Sequence, residues 1–184
     1  MPIENERKFV LQDPDGAVER ALAGHAHAAR MVLRQAYLES SGVRIREITD
    51  AQGKRALFTF KRTVEDGVVE IETPISAEDF ARLWRLRRET LVKVRYHIAA
   101  DPCGWDIDFF KDGESDTAPT YFAMAEVEMP EGWTQTPPPP AVIAGHVLHT
   151  VVNGDERYTS KRLADIAHAR ALMAQLLAAA GQRT

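Results

Sequence analysis

The chain has 184 residues, 45% hydrophobic and 27% charged, which suits one soluble domain, residues 1–184, with a sizeable core. A formal net charge of −4 speaks against nucleic acid as a main partner. The single cysteine, Cys103, stands in an Asp-Pro-Cys-Gly turn and excludes an intrachain disulfide or a cysteine-based metal cluster.

Charge begins at Glu4, with no signal-peptide core and no apolar run long enough for a bilayer, so the expected location is cytoplasmic with no membrane partner. Residues 3–10 read as a strand with Glu4, Glu6 and Lys8 on one face and Ile3, Arg7 and Phe9 on the other. Asp13-Pro14-Asp15-Gly16 is turn chemistry, and Val18, Leu22 and Ala26 mark a short helix that Gly24 interrupts. His25 and His27, two apart, do not share a helical face and read as exposed.

Strands follow at 31–38, 43–48, 55–62 and 68–73, with turns at Asp50-Ala51-Gln52-Gly53 and Asp66-Gly67. Ser76 is the expected N-cap of a helix carrying Phe80, Leu83, Trp84 and Leu86. Further strands are expected at 91–98, 105–111, 121–129 and 147–152. Pro137 to Pro140 form a stiff connector, and residues 160–180 read as one helix with Leu163, Ile166, Leu172, Leu176 and Leu177 on its apolar stripe.

Strand parity carries the functional signal. Glu70 and Glu72 share a face, as do Asp106 and Asp108, and Glu126 and Glu128; Arg44 and Arg46, Thr59 and Lys61, and Lys93 and Arg95 do the same on other strands. Like charges two residues apart on one face repel, so a plain solvated surface has no reason to repeat them. A closed antiparallel barrel collects one face of every strand into a common interior and leaves an apolar outer face for helices to cover. Carboxylate pairs from two strands suit Mg²⁺ or Mn²⁺, and the Arg and Lys groups suit phosphate oxygens. Together they point to a substrate with adjacent phosphates.

Glu4-x-Glu6-x-Lys8 resembles the signature of the CYTH superfamily, the triphosphate tunnel metalloenzymes, named for class IV adenylate cyclase and thiamine triphosphatase. Gln35-Ala36-Tyr37-Leu38, Arg44-Ile45-Arg46, Thr59-Phe60-Lys61, Glu70-Ile71-Glu72, Lys93-Val94-Arg95-Tyr96, Trp105 to Phe109, Ala125 to Glu128 and Asp155-Glu156-Arg157-Tyr158 follow in family order, over a core of residues 3–164. The resemblance implies an α+β fold: a closed eight-stranded antiparallel β-barrel forming a tunnel, with helices outside and a C-terminal helical extension at 160–180. It further implies Mg²⁺ or Mn²⁺ held by Glu4, Glu6, Asp108, Glu126 and Glu128. Lys8, Arg44, Arg46, Lys61, Lys93 and Arg95 would grip phosphates, and Lys8 and Glu72 would serve catalysis, Glu72 by orienting water. Departures are Ala36 where the family has Gly, Ser160 where it has Asn, and no tyrosine in residues 24–34.

The expected activity is metal-dependent hydrolysis of a triphosphate: inorganic tripolyphosphate, or a nucleoside or thiamine triphosphate. The alternatives are a class IV-type adenylate cyclase and a non-catalytic module that binds polyphosphate or nucleotide. Family cyclases carry a His-Phe element ahead of Glu-x-Glu, and this sequence begins Met1-Pro2-Ile3. The C-terminal helix is expected to pack on the barrel, with a homodimer as its other possible use.

Overall fold

A computed structural model describes residues 5–39, 42–65 and 67–182 of the chain. Its strands are β1 (Glu6–Leu11), β2 (Ala28–Leu38), β3 (Val43–Asp50), β4 (Gly53–Val64), β5 (Gly67–Ile75), β6 (Arg87–Ile98), β7 (Trp105–Lys111), β8 (Thr120–Glu128) and β9 (Val147–Thr150). The helices are α1 (Ala17–Ala23), α2 (Ala77–Leu83), α3 (Ala141–Ala144), α4 (Ser160–Leu163) and α5 (Ile166–Gly181).

All nine strands join one antiparallel sheet in the order β5-β4-β3-β2-β6-β7-β8-β1-β9. Among the described residues the sheet is not closed and has nine strands, so the fold is the expected antiparallel sheet with helices outside, without the closed eight-stranded barrel expected from the sequence. Among the described residues β5 and β9 do not pair with each other. Both are poor partners for closure. β9 has four residues and reaches only the Phe9–Leu11 end of β1. β5 carries Pro74, which has no N–H to donate and belongs on an edge.

Two apolar layers cover the outer face. Val18 and Leu22 of α1 and Ile143 of α3 pack on Phe9, Leu11, Val94, Tyr96, Trp105, Ile107, Phe109 and Val127. Phe80 of α2 packs on Ala36, Leu38, Ile45 and Ala56. Helix α2 begins where the sequence places it: the Ser76 hydroxyl accepts the Asp79 N–H at 3.0 Å. Gly24 ends α1, as expected.

A third core lies on the opposite face, which elsewhere carries the charge. Val10, Phe110, Phe122, Met124 and Leu91 meet Tyr158, Leu163, Ala169 and Leu172 there, with Tyr37 of β2 packed alongside. The expected single helix over 160–180 is two helices. Asp165 stops the first and caps the second, its carboxylate accepting the His168 N–H at 3.1 Å. The break lets α4 and α5 close one end of the charged face with apolar side chains.

Leu163 anchors this closure at 0% exposure. Leu163→Ala should cost about 2–5 kcal/mol, read as a lower denaturation midpoint in urea. An exposed substitution on α5, such as Gln175→Ala, should stay within about 0.5 kcal/mol of wild type.

Candidate functional site

Cross-strand register assembles the site. Lys8 faces Glu126, Glu126 faces Asp106, and Asp106 faces His97, so one row of polar side chains crosses β1, β8, β7 and β6. One step along, Asp108 faces Arg95. On the other half of the sheet Gln35 faces Arg46, Tyr37 faces Arg44, Thr59 faces Glu72, and Lys61 faces Glu70. The parity argument therefore holds strand by strand. Glu4 lies outside the described residues.

In the first half the acids and bases are mostly paired. The Lys8 ammonium is 2.8 Å from Glu6 and 3.3 Å from Glu126. Burial works against its charge, but Glu126 and Glu6 outweigh it and raise its pKa. Arg95 grips Asp108 through two 2.7 Å bonds, also bonds Asp106, and lies 3.5 Å from Glu126. Lys93 reaches Asp108 at 2.5 Å. His97 Nδ1 sits 2.7 Å from Asp106.

Asp108 is fully buried and shared by two cations. Burial acts to raise its pKa, and Arg95 with Lys93 overrides this and holds it well below the usual carboxylate range. Burial would lower that of Arg95 too, yet Asp108, Asp106 and Glu126 raise it. Lys93 goes the other way: burial, helped by Arg95, lowers it to about 8 despite the Asp108 contact. Both pKa values of the Lys93–Asp108 pair are thus lowered, which favours the charged carboxylate but disfavours the charged amine. Asp108 is already neutralised by Arg95, so Lys93 is the surplus positive charge.

The second half is less balanced. Arg44 lies 3.7 Å from Glu72 and 3.9 Å from Glu70, long for ion pairs, and hydrogen-bonds Thr59 at 3.4 Å; its Nε is buried with no hydrogen-bond partner. Glu72 accepts from the Thr59 hydroxyl at 2.9 Å, and Lys61 is 3.1 Å from Glu70. Gly42 adopts φ +81 and accepts the Lys61 N–H at 2.8 Å; a Cβ there would run into the Lys61 carbonyl. Arg46 donates to Gln35 at 3.2 Å, and among the described residues no carboxylate forms an ion pair with it. Burial, then Arg44 and Arg95, lower Arg46 to about 10.

Glu128 is exposed and faces Glu6 across β1 and β8. Glu6 and Glu126 meet at the Lys8 ammonium, and a cavity of about 480 Å³ opens beside Glu6 and Lys8 against residues 151–156. The described residues hold no group of three His, Cys, Asp or Glu side chains gathered for a metal. Glu6 and Glu126, with Glu128 facing Glu6, supply oxygen donors at this end of the face, the donor type that Mg²⁺ and Mn²⁺ take. His97, not anticipated among the site residues, was legible: it follows Lys93 and Arg95 with the same parity.

The Lys93 and Asp108 shifts have opposite consequences. Lys93 is lowered from its ordinary 10.5, so its burial cost is present in full below about pH 8 and is relieved as pH rises from about 8 to 10.5. Asp108 is depressed, so its contribution is present above the ordinary carboxylate range and is lost as pH falls through its folded value. Urea unfolding should show wild type gaining stability relative to Lys93→Met between about pH 7.5 and 9.5. Asp108→Asn, which strands two buried cations, should cost about 3–5 kcal/mol at neutral pH.

No family model and no curated protein matches the chain. Two solved structures of NE1496 do, each at 26% identity and a TM-score of 0.51. One, described as the inorganic triphosphatase NE1496, is matched over 89% of this chain and 95% of its own; the other is matched over 88% and 97%. A proposed adenylate cyclase, bh2851 from Bacillus halodurans, matches at 15% identity and a TM-score of 0.44, over 70% of this chain and 81% of its own, too distant to carry weight. The order of the sequence motifs and the fold agree in pointing the same way: the chain is similar in fold, over most of its length, to the inorganic triphosphatase NE1496.

Proposed function

We propose that the protein hydrolyses a triphosphate with the help of a divalent metal. One observation carries the reading: the Arg46 guanidinium is half-buried beside Arg44 and within the influence of Arg95, with no carboxylate in ion-pair contact with it among the described residues. Of these guanidinium groups Arg46 has no carboxylate in direct contact and Arg44 only distant ones, and phosphate oxygens match their fork geometry. The inorganic triphosphatase activity of NE1496 supports the same class of substrate.

Glu6, Glu126 and Glu128 would hold Mg²⁺ or Mn²⁺, which when bound supplies charge neutralisation on the phosphate oxygens. The protein's own groups do the rest. Arg44, Arg46 and Arg95 orient the phosphate chain and offset charge that builds on the leaving phosphate. Lys8, between Glu6 and Glu126, sits where a phosphate oxygen would replace one of its carboxylate contacts. Glu72 is available to position a water, its carboxylate fixed by Thr59. Asp108 belongs in this reading to the Arg95–Lys93 clamp, since both its oxygens are taken up there.

A phosphate-release assay with tripolyphosphate, ATP and thiamine triphosphate should show turnover of at least one with Mg²⁺ or Mn²⁺, and none with excess chelator. Arg46→Ala should lower kcat/KM by roughly ten- to a hundred-fold, the loss of one charge-assisted contact. Glu126→Gln should raise the metal concentration needed for half-maximal rate. Tight binding of tripolyphosphate without turnover under any metal would replace hydrolysis by a binding module.

A further inference from the structure

We propose that His97 is a positioning residue: by holding one oxygen of Asp106, it keeps that carboxylate from closing over the edge of Arg95 that receives phosphate. The proposal rests on the reading above for the identity of the anion.

His97 ends the Lys93, Arg95, His97 run on one face of β6 and stands opposite Asp106 of β7. Its ring is half-buried, and Gly104 lies against it: a Cβ at that position would fall 2.8 Å from His97 Cε1. On the β2 side the residue opposite is Ala29, which offers no polar group. The ring is therefore turned to Asp106, with Nδ1 2.7 Å from Oδ1. An ionised carboxylate only accepts, so Nδ1 carries the proton. The second oxygen of Asp106 accepts from Arg95 NH1.

Arg95 shows what Asp106 would do if released. Along one edge its Nε and NH2 donate to the two oxygens of Asp108, each at 2.7 Å, a fork on a fork. NH1 and NH2 each keep a further N–H on the outer edge, where Glu126 stands off at 3.5 Å from NH2, longer than an ordinary hydrogen bond. That outer edge has the same spacing as the one Asp108 fills, and it suits two phosphate oxygens equally well. Asp106 already touches NH1 through one oxygen. Without His97 its other oxygen is free to swing onto NH2, and the carboxylate then fills the edge in place of phosphate. His97 prevents this by bonding Oδ1 on the far side. It acts through Asp106 and need not touch the substrate.

Calorimetric titration of tripolyphosphate in buffer with EDTA tests this on wild type, His97→Leu, His97→Asn and the double variant His97→Leu/Asp106→Asn. His97→Leu should bind roughly tenfold more weakly, while His97→Asn, which keeps an N–H near the Nδ1 position, should stay within about threefold of wild type. The double variant should recover most of the affinity, because the neutral amide at 106 competes poorly with phosphate for Arg95. Should His97→Leu not fold, His97→Ala and its double variant with Asp106→Asn replace it. In the phosphate-release assay His97→Leu should raise KM in step with the loss of affinity and change kcat by less than about threefold. Unchanged affinity in His97→Leu, or a double variant as weak as His97→Leu alone, overturns the proposal. If wild type binds tripolyphosphate and the double variant recovers affinity, but no phosphate is released with Mg²⁺ or Mn²⁺, hydrolysis falls and the role of His97 stands. Turnover with unaltered His97→Leu binding gives the reverse. Wild type that binds no tripolyphosphate sinks both.

Discussion

A single buried carboxylate, Asp108, sets the electrostatics of this protein. Removing it from water is costly, and the cost is met by the bidentate Arg95 contact with Lys93 as second donor. That arrangement fixes Arg95, which then reaches Asp106 and Glu126 on one side and acts on Arg46 on the other. The two halves of the charged face are thus coupled through one guanidinium. It also leaves one positive charge more than Asp108 can neutralise, which falls on Lys93.

The apolar cores make this possible. A sheet whose two faces were both solvated could not bury Asp108 and Lys93. Here α1 and α3 seal the outer face behind β6, β7 and β8, while Leu91, Phe110, Met124 and Leu163 seal one end of the inner one. Phe110, two residues after Asp108 on the same face, places its ring 5.4 Å from the Lys93 ammonium. The transition from charged to apolar thus occurs within one step along β7.

Much of this was legible in the sequence, because strand alternation is a local geometric rule. Glu6, Lys8, Arg44, Arg46, Lys93, Arg95 and Glu126 share a face as their parity requires, and register alone brings Lys8 to Glu126 and Arg95 to Asp108. Closure of the barrel was not legible. Whether β5 meets β9 depends on backbone pairing between strands far apart in sequence, and no residue pattern encodes it directly. Individual roles were also hidden. Parity groups Asp108 with Asp106, but only the packing around them shows one fully buried between two cations and the other partly exposed between Arg95 and His97. The break at Asp165 was readable as a cap signal, yet the long apolar stripe of 160–180 masks it.

The distribution of unpaired charge bears on why such a site survives in a marginally stable fold. Ion pairs such as Lys8–Glu6 and Arg95–Asp108 offset much of their own desolvation. Arg46 is offset less well: burial, Arg44 and Arg95 act against its charge and outweigh the favourable influence of Glu72. The folded chain therefore carries a local electrostatic cost that an anion relieves on binding. Any ligand that binds only the folded state stabilises it by mass action, and here the gain is enlarged because binding also removes repulsion already present. The same groups would be a liability in a protein with no anionic ligand, since apolar side chains of similar volume would fill the space at lower cost. The fold tolerates Arg44 and Arg46 together because the acids of β1, β7 and β8 hold the rest of the face close to neutral, leaving one end strongly positive.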